Sequence, residues 1–273
     1  SVTFVGQGSD ATPTATPTPV PIAVEVVARG LEVAWALAFA PDGRLFFTER
    51  PGRIRVIQGG TLAAEPVATL PVALTAESGL LGLALDPDFA SNHFLYVYYT
   101  YASEGSGLLN RVVRLTEANG KATSPVTLLD GIPGANIHDG GRIKFGPDGK
   151  LYVTTGDAAN TSHSQDSGSL SGKVLRISRD GSIPADNPFP GSPVYSYGHR
   201  NPQGLAWHPV TGKLFSTEHG PTGFDEVNII QPGKNYGWPT VTGQPNQPQF
   251  VDPILVFDPA IAPSGSSFYF SDK

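Results

Sequence analysis

The chain has 273 residues, of which 39% are hydrophobic and only 15% charged, with a net charge of −6. That apolar fraction sustains a packed core. No run approaches the roughly 18 apolar residues of a membrane-spanning helix, and no basic cluster marks a nucleic-acid surface. Cysteine and methionine are both absent. This excludes disulfides, thiolate metal sites and a cysteine nucleophile, and leads us to expect a processed, trimmed or partial product.

Gly 32 and Pro 26 together make up about a fifth of the chain, which favours many short elements joined by turns. Residues 11–21, ATPTATPTPVP, form a Thr/Pro tract. Proline fixes φ and removes a donor, so residues 1–21 are expected to be an extended, unpacked tether. Such tethers often follow the signal or lipid anchor of exported bacterial proteins, which points to a periplasmic or extracellular location at the cell surface. A period-2 pattern starts at Ile22, and IAVEVVA (22–28) predicts a strand. WALAFAPDGRLFFTER (35–50) predicts strand, turn, strand around Pro41-Asp42-Gly43.

The pattern returns in GLALDPDFASNHFLYVYYT (82–100), RIKFGPDGKLYVTTGD (142–157) and GLAWHPVTGKLFSTEHG (204–220). Turn prolines at 41, 87, 147 and 209 are spaced by 46, 60 and 62 residues. PSGSSFYFSDK (263–273) resembles the opening of a fifth unit. Repeats of about 40–60 residues built from antiparallel strands predict an all-β fold, a β-propeller. An open array of blades exposes strand edges, so residues 22–273 are expected to be an incomplete propeller whose remaining blades lie beyond Lys273.

Unusual polar residues concentrate in IHDGGR (137–142), YGHRNPQG (197–204) and STEHGPTGFDEVN (216–228), all at strand–loop junctions of similar phase. Equivalent phases of a propeller meet on one face around the central channel, so one site assembled from several blades is expected. His138 suits a general base, or alternatively a histidine bonded to a loop carbonyl. Arg200 suits a carboxylate or oxyanion, or a structural ion pair. Asp225 and Glu226, beside Gly220-Pro221, offer hard oxygen ligands of the kind Ca²⁺ takes, or are solvated acids. His93 and His163 are expected at the surface.

Taken together, WALAFAPDGRLFFTERPGRIRV (35–56), ESGLLGLALDPDF (77–89), HDGGRIKFGPDGKLYVTTGD (138–157), GKVLRISRDGSIPADNPF (172–189), YGHRNPQGLAWHP (197–209) and EHGPTGFDEVNIIQPGKNYGWP (218–239) resemble the soluble glucose/sorbosone dehydrogenase family dependent on pyrroloquinoline quinone (PQQ), above all the bacterial aldose sugar dehydrogenases. The resemblance covers essentially everything after the Thr/Pro tract. It implies a six-bladed propeller of four-stranded blades that holds PQQ and Ca²⁺ at one end of its channel, the last one to two blades lying outside this chain. It implies His138 as general base and Arg200 and Asn201 as the PQQ-contacting pair. Glu77 stands where the family commonly has a glutamine near the quinone. The carbonyls of Gly220 and Pro221 match contacts to the quinone-bound Ca²⁺, and Glu226 with the Tyr236 backbone matches a second, structural Ca²⁺ position.

The activity implied is oxidation of the C1 hydroxyl of an aldose to the aldonolactone. Its partners would be the sugar, an external electron acceptor and, for this chain, a complementary C-terminal fragment. Three other readings remain open from the sequence: a sugar- or polymer-binding propeller without catalysis, an interaction scaffold, and an inactive fragment of the enzyme.

Overall fold

The computed structural model describes residues 24–269. The Thr/Pro tract lies outside them. Four antiparallel blades follow one another along the chain. The first holds β1 (Ala34–Phe39), β2 (Leu45–Glu49), β3 (Arg53–Gln58) and β4 (Thr61–Leu62), with β5 (Ala68–Thr69) also paired to β3. The second holds β6 (Leu80–Leu85), a single helical turn α1 (Phe89–Asn92), then β7 (Phe94–Ser103), β8 (Gly107–Ala118) and β9 (Lys121–Pro133). The third holds β10 (Ile143–Phe145), β11 (Leu151–Thr155), β12 (Lys173–Ile177) and β13 (Val194–Tyr197). The fourth holds β14 (Pro202–Trp207), β15 (Leu214–Glu218), β16 (Asp225–Ile230) and β17 (Leu255–Phe257). The protein is thus an all-β propeller of four-stranded blades.

The four hairpins expected from the Pro-containing turns are the first two strands of the four blades. Their turn chemistry is local and repeats. Gly43 N donates to Ala40 O at 3.0 Å and Arg44 N donates to Asp42 Oδ1 at 3.1 Å. In the third blade Gly149 N donates to Gly146 O at 2.9 Å and Lys150 N to Asp148 Oδ1 at 3.1 Å. Proline presets φ, the Asp side chain caps the next amide, and glycine takes the positive φ. In the fourth blade the His208 ring replaces the Asp, accepting from Val210 N and Thr211 N.

Blades pack face to face, and β7 shows how. Leu95 and Val97 point into a core shared with Phe46 and Ile54 of blade 1 and with Leu80 of β6. Tyr96 and Tyr98 point the other way, into a core with Ile143, Val153 and Leu175 of blade 3. A strand buried on both faces is apolar throughout, which is why FLYVYYT shows no polar alternation. A third core joins Tyr152 and Val174 to Leu205, Leu214 and Ile230 across blades 3 and 4. The buried tyrosines keep their hydroxyls satisfied: Tyr96 Oη donates to Asp86 Oδ2 and Tyr98 Oη to Asp139 O, both at 2.8 Å.

Two sequence expectations need correction. The described part of the 22–28 segment is not a strand, and Val24 and Val26 are exposed. An extended apolar segment becomes a strand only where a neighbour offers unpaired backbone groups, and none of the described strands pairs with it. Residues 263–269 likewise form no strand, but they lie along the fourth blade. Thr217 Oγ1 donates to Ser264 O at 2.6 Å, and the Phe268 ring packs edge-on against Phe215. Among the described residues no helix is long and apolar enough to cross a membrane.

Candidate active site

The end of the propeller where β10 and β14 begin, and where β11 and β15 finish, gathers the polar motifs. His138 precedes β10 with φ at 60°, in the left-handed region that a non-glycine residue rarely adopts. Its backbone is held there by Glu77 Oε2, which accepts from His138 N at 2.9 Å, and by His138 O, which accepts from Ala158 N at 3.1 Å. The close pass is possible because position 156 is glycine; a Cβ there would overlap the His138 carbonyl. His138 Nδ1 then lies 2.8 Å from Asp157 Oδ1.

Asp157 is buried, and its carboxylate also accepts from Ala159 N at 3.0 Å and from Trp238 Nε1 at 2.9 Å. A carboxylate facing Nδ1 fixes that nitrogen as the donor and leaves Nε2 as the acceptor. The chain therefore presents an oriented histidine base, with 14% of its side chain exposed. The sequence reading missed Asp157. It had a usable signal: at the ends of β2, β11 and β15 a Thr is followed within two residues by an acid, namely Glu49, Asp157 and Glu218. In blade 1 that acid makes ion pairs with Arg53 and Arg55, in blade 3 it orients His138, and in blade 4 it holds the Arg200 backbone.

Arg200 is half-buried beside this pair. Its carbonyl accepts from Asp157 N at 2.7 Å, its backbone N donates to Glu218 Oε1, and one Nη donates to His219 O at 3.2 Å. Its guanidinium lies 5.5 Å from the centre of the Trp238 ring. Burial pulls its pKa down, with the nearby acids opposing. Among the described residues Arg200 Nε has no hydrogen-bond partner, although it is out of contact with solvent. Asn201 is fully buried. Its Oδ1 accepts from Gly140 N at 3.0 Å, and its Nδ2 also lacks a partner. Two donors without acceptors, beside an oriented base, fit a ligand rich in carbonyl and carboxylate oxygens.

His199 is fully buried: Nδ1 lies 2.8 Å from Glu218 Oε2, Nε2 lies 2.8 Å from Ser196 Oγ, and the ring stacks on Tyr236 at 4.7 Å. It supports the wall and is closed to substrate. Asp139 is buried and raised to about 6, first by burial and then by the Glu77 charge, against the hydrogen bonds from Asn110 and Ala135 N.

A second feature adjoins Arg200. Gly220, Pro221, Glu218, Glu226 and Tyr236 line a cavity of about 10 Å³, the room of a single water or ion. Glu226 is raised to about 7 by burial and by the facing Glu218 charge. Two carboxylates and backbone carbonyls form a hard-oxygen set that could hold Ca²⁺. Among the described residues no group of three His, Cys, Asp or Glu side chains forms a metal cluster, so carbonyls would have to complete the shell. Asp225 is corrected from candidate ligand to brace. It is buried, Oδ1 accepts from Gly220 N at 2.8 Å, and Oδ2 accepts from Ile261 N and Ala262 N at 2.7 Å. His93 is exposed as expected, and His163 is half-buried.

Comparison with known proteins places the chain in a family. A family model described as Glucose / Sorbosone dehydrogenase matches residues 31–273. The chain belongs to that family. It is 35% identical over 274 residues to the aldose sugar dehydrogenase YliI of Escherichia coli, covering 92% of this chain and 74% of that one. It is 36% identical over 252 residues to quinoprotein glucose dehydrogenase B of Acinetobacter calcoaceticus, covering 80% of this chain and 52% of that one. The PQQ-bound aldose sugar dehydrogenase of Streptomyces coelicolor superposes with a TM-score of 0.83 at 44% identity, covering 90% of this chain and 74% of that chain. This glucose/sorbosone dehydrogenase chain therefore shares both blade architecture and sequence with sugar dehydrogenases.

Proposed function

We propose that the protein is a PQQ-dependent sugar dehydrogenase that oxidises the C1 hydroxyl of an aldose to the aldonolactone. The observation that carries the reading is the His138–Asp157 pair, set beside Arg200 and the partnerless Asn201 Nδ2. The named relatives support the same reading. It keeps the six-bladed ring of the sequence expectation, of which four blades are described.

In this reading PQQ, when bound, supplies the acceptor for the hydride that leaves C1. The residues of the chain do the rest. His138 Nε2 takes the proton of the C1 hydroxyl. Asp157 stabilises the resulting imidazolium and keeps the ring in its productive tautomer. Asn201 Nδ2 and the Arg200 guanidinium hold ligand oxygens, and the permanent charge of Arg200 stabilises negative charge that develops there. Glu77 acts through the His138 backbone, which it holds in its left-handed conformation. Ca²⁺, when bound beside the quinone, would supply a Lewis acid, held by the Gly220 and Pro221 carbonyls; Glu226 and the Tyr236 backbone would hold a second, structural Ca²⁺. Trp238, spanning Asp157 and Arg200, keeps the base and the cation in one rigid wall.

The test is reduction of an external dye by the protein loaded with PQQ and Ca²⁺ on addition of D-glucose. Turnover that needs quinone, metal and aldose together supports the proposal. Sugar binding without dye reduction in the fully loaded protein would instead favour a non-catalytic binding propeller.

A further inference from the structure

The inner strands β1, β6, β10 and β14 line a central cavity of about 640 Å³. Its wall is mostly apolar, with Trp35, Leu37, Phe39, Leu83 and Phe145 among its residues. Two cations enter it. Arg142 just before β10 and Lys144 within it are two residues apart along the same extended run, so they point to the same face. Arg142 Nε donates to Gln203 O at 2.9 Å, and its guanidinium lies 4.0 Å from the centre of the Trp35 ring. Lys144 Nζ donates to Leu205 O at 3.4 Å. Each thus caps a carbonyl on the inner edge of β14, which accounts for a polar group at each position. It does not account for two full charges.

Among the described residues neither cation has a carboxylate partner. Arg44, Arg53, Arg55, Arg111, Arg176 and Arg179 do, whereas Arg50 and Lys173, which also lack one, are each held by three carbonyls. The Arg142 Nη groups make no hydrogen bond among the described residues. Burial lowers Arg142 to about 10, and Lys144 is lowered by burial and by the like charge of Arg142. A third group points to the same conclusion. Ser266, from the segment that lines the cavity beside Arg142, has a buried Oγ with no partner. Like charges in an apolar space are stable when a counter-charge joins them.

We propose that this channel is an anion site, in which a small anion bridges the Arg142 Nη groups and Lys144 Nζ, with Ser266 Oγ as an added donor. The apolar wall disfavours strongly hydrated ions, so the class is a weakly hydrated halide or a short monocarboxylate. These share one chemistry: a single negative charge that accepts several hydrogen bonds.

The experiment uses the purified protein without added quinone, so that it is independent of the redox reading. Crystals grown in sodium bromide are measured at the bromine edge. Thermal unfolding is followed in bromide, acetate and fluoride at equal ionic strength. The expected result is an anomalous peak between Arg142 and Lys144, with a melting temperature about 3 °C higher in bromide or acetate than in fluoride. A peak identifies a halide site; an acetate shift with planar density and no bromide peak identifies a carboxylate site. Lys144→Met, close in shape, should abolish both effects, and Arg142→Gln provides a second variant. No peak and no anion-specific shift, or an acidic side chain of the protein lying between the two cations, would overturn the proposal.

Discussion

At the scale of single residues, His138 and Asp157 show how the chain builds a base from a strained backbone. Their 2.8 Å contact crosses 19 residues of sequence, and the bond has meaning only after β10 and β11 pair. His138 was legible from its Gly-rich junction; the strand-end pattern could have singled out Asp157 as well, but not its pairing with His138, which is set by sheet register. If the proposed function holds, His138→Ala should lower turnover by about 10²–10⁴-fold. Asp157→Asn should reduce it over a similar range while leaving the melting temperature nearly unchanged, as measured by steady-state dye reduction and thermal unfolding. Near-normal turnover in either variant would remove the pair from the mechanism.

Asp139 gives a separate expectation. Its carboxyl is raised from 3.8 to about 6 by burial, so the folded state holds its proton longer than the unfolded state. Its contribution to stability is complete below about pH 4 and is lost as pH rises through 6. Asp139→Asn is nearly isosteric and does not titrate. The wild-type melting temperature should therefore fall relative to that of the variant between pH 4 and 6. A flat or rising difference would contradict the raised value.

At the scale of elements, the four hairpins were legible because each turn satisfies itself. The prolines, Asp caps and positive-φ glycines act within four residues, so they need no tertiary context. The 22–28 and 263–269 segments carry strand-like composition without a strand partner among the described residues, and composition alone could not reveal that. The β15–β16 connection shows the same limit for side chains. Asp225 reads as a metal ligand in sequence, yet it is saturated by three backbone N–H groups from two separate segments. Removing it leaves buried donors unpaired at about 1–3 kcal/mol each. Asp225→Ala should thus cost about 3 kcal/mol or more in urea unfolding. Because Gly220 N is one of the three, the variant should also bind Ca²⁺ more weakly in a calorimetric titration if the proposed Ca²⁺ site holds. A loss below about 1 kcal/mol would show that water takes over the freed amides.

At the scale of the whole molecule, stability comes from blade-to-blade burial. The three apolar interfaces are continuous from Phe46 in the first blade to Ile230 in the fourth. The alternation that fills them also leaves apolar residues of β1 on the open, channel-side face of the first blade, where the described residues offer little cover. Leu37 is 66% exposed and Phe39 78% on β1, and Val24, Val26 and Val27 are exposed just before it. Large apolar groups gathered in this way favour association, since each Å² removed from water is worth about 25 cal/mol. Even a few hundred Å² would contribute on the order of 5–10 kcal/mol before the cost of association is subtracted. The 273-residue chain, purified on its own, should therefore self-associate at micromolar concentration in sedimentation velocity. Leu37→Ser with Phe39→Ser should shift it towards monomer without lowering its melting temperature by more than a few degrees, because neither side chain is buried in the three interfaces. A wild-type chain that stays monomeric over that range would mean that the β1 face is covered from within the chain, and the channel wall it helps to form would then be closed on that side as well.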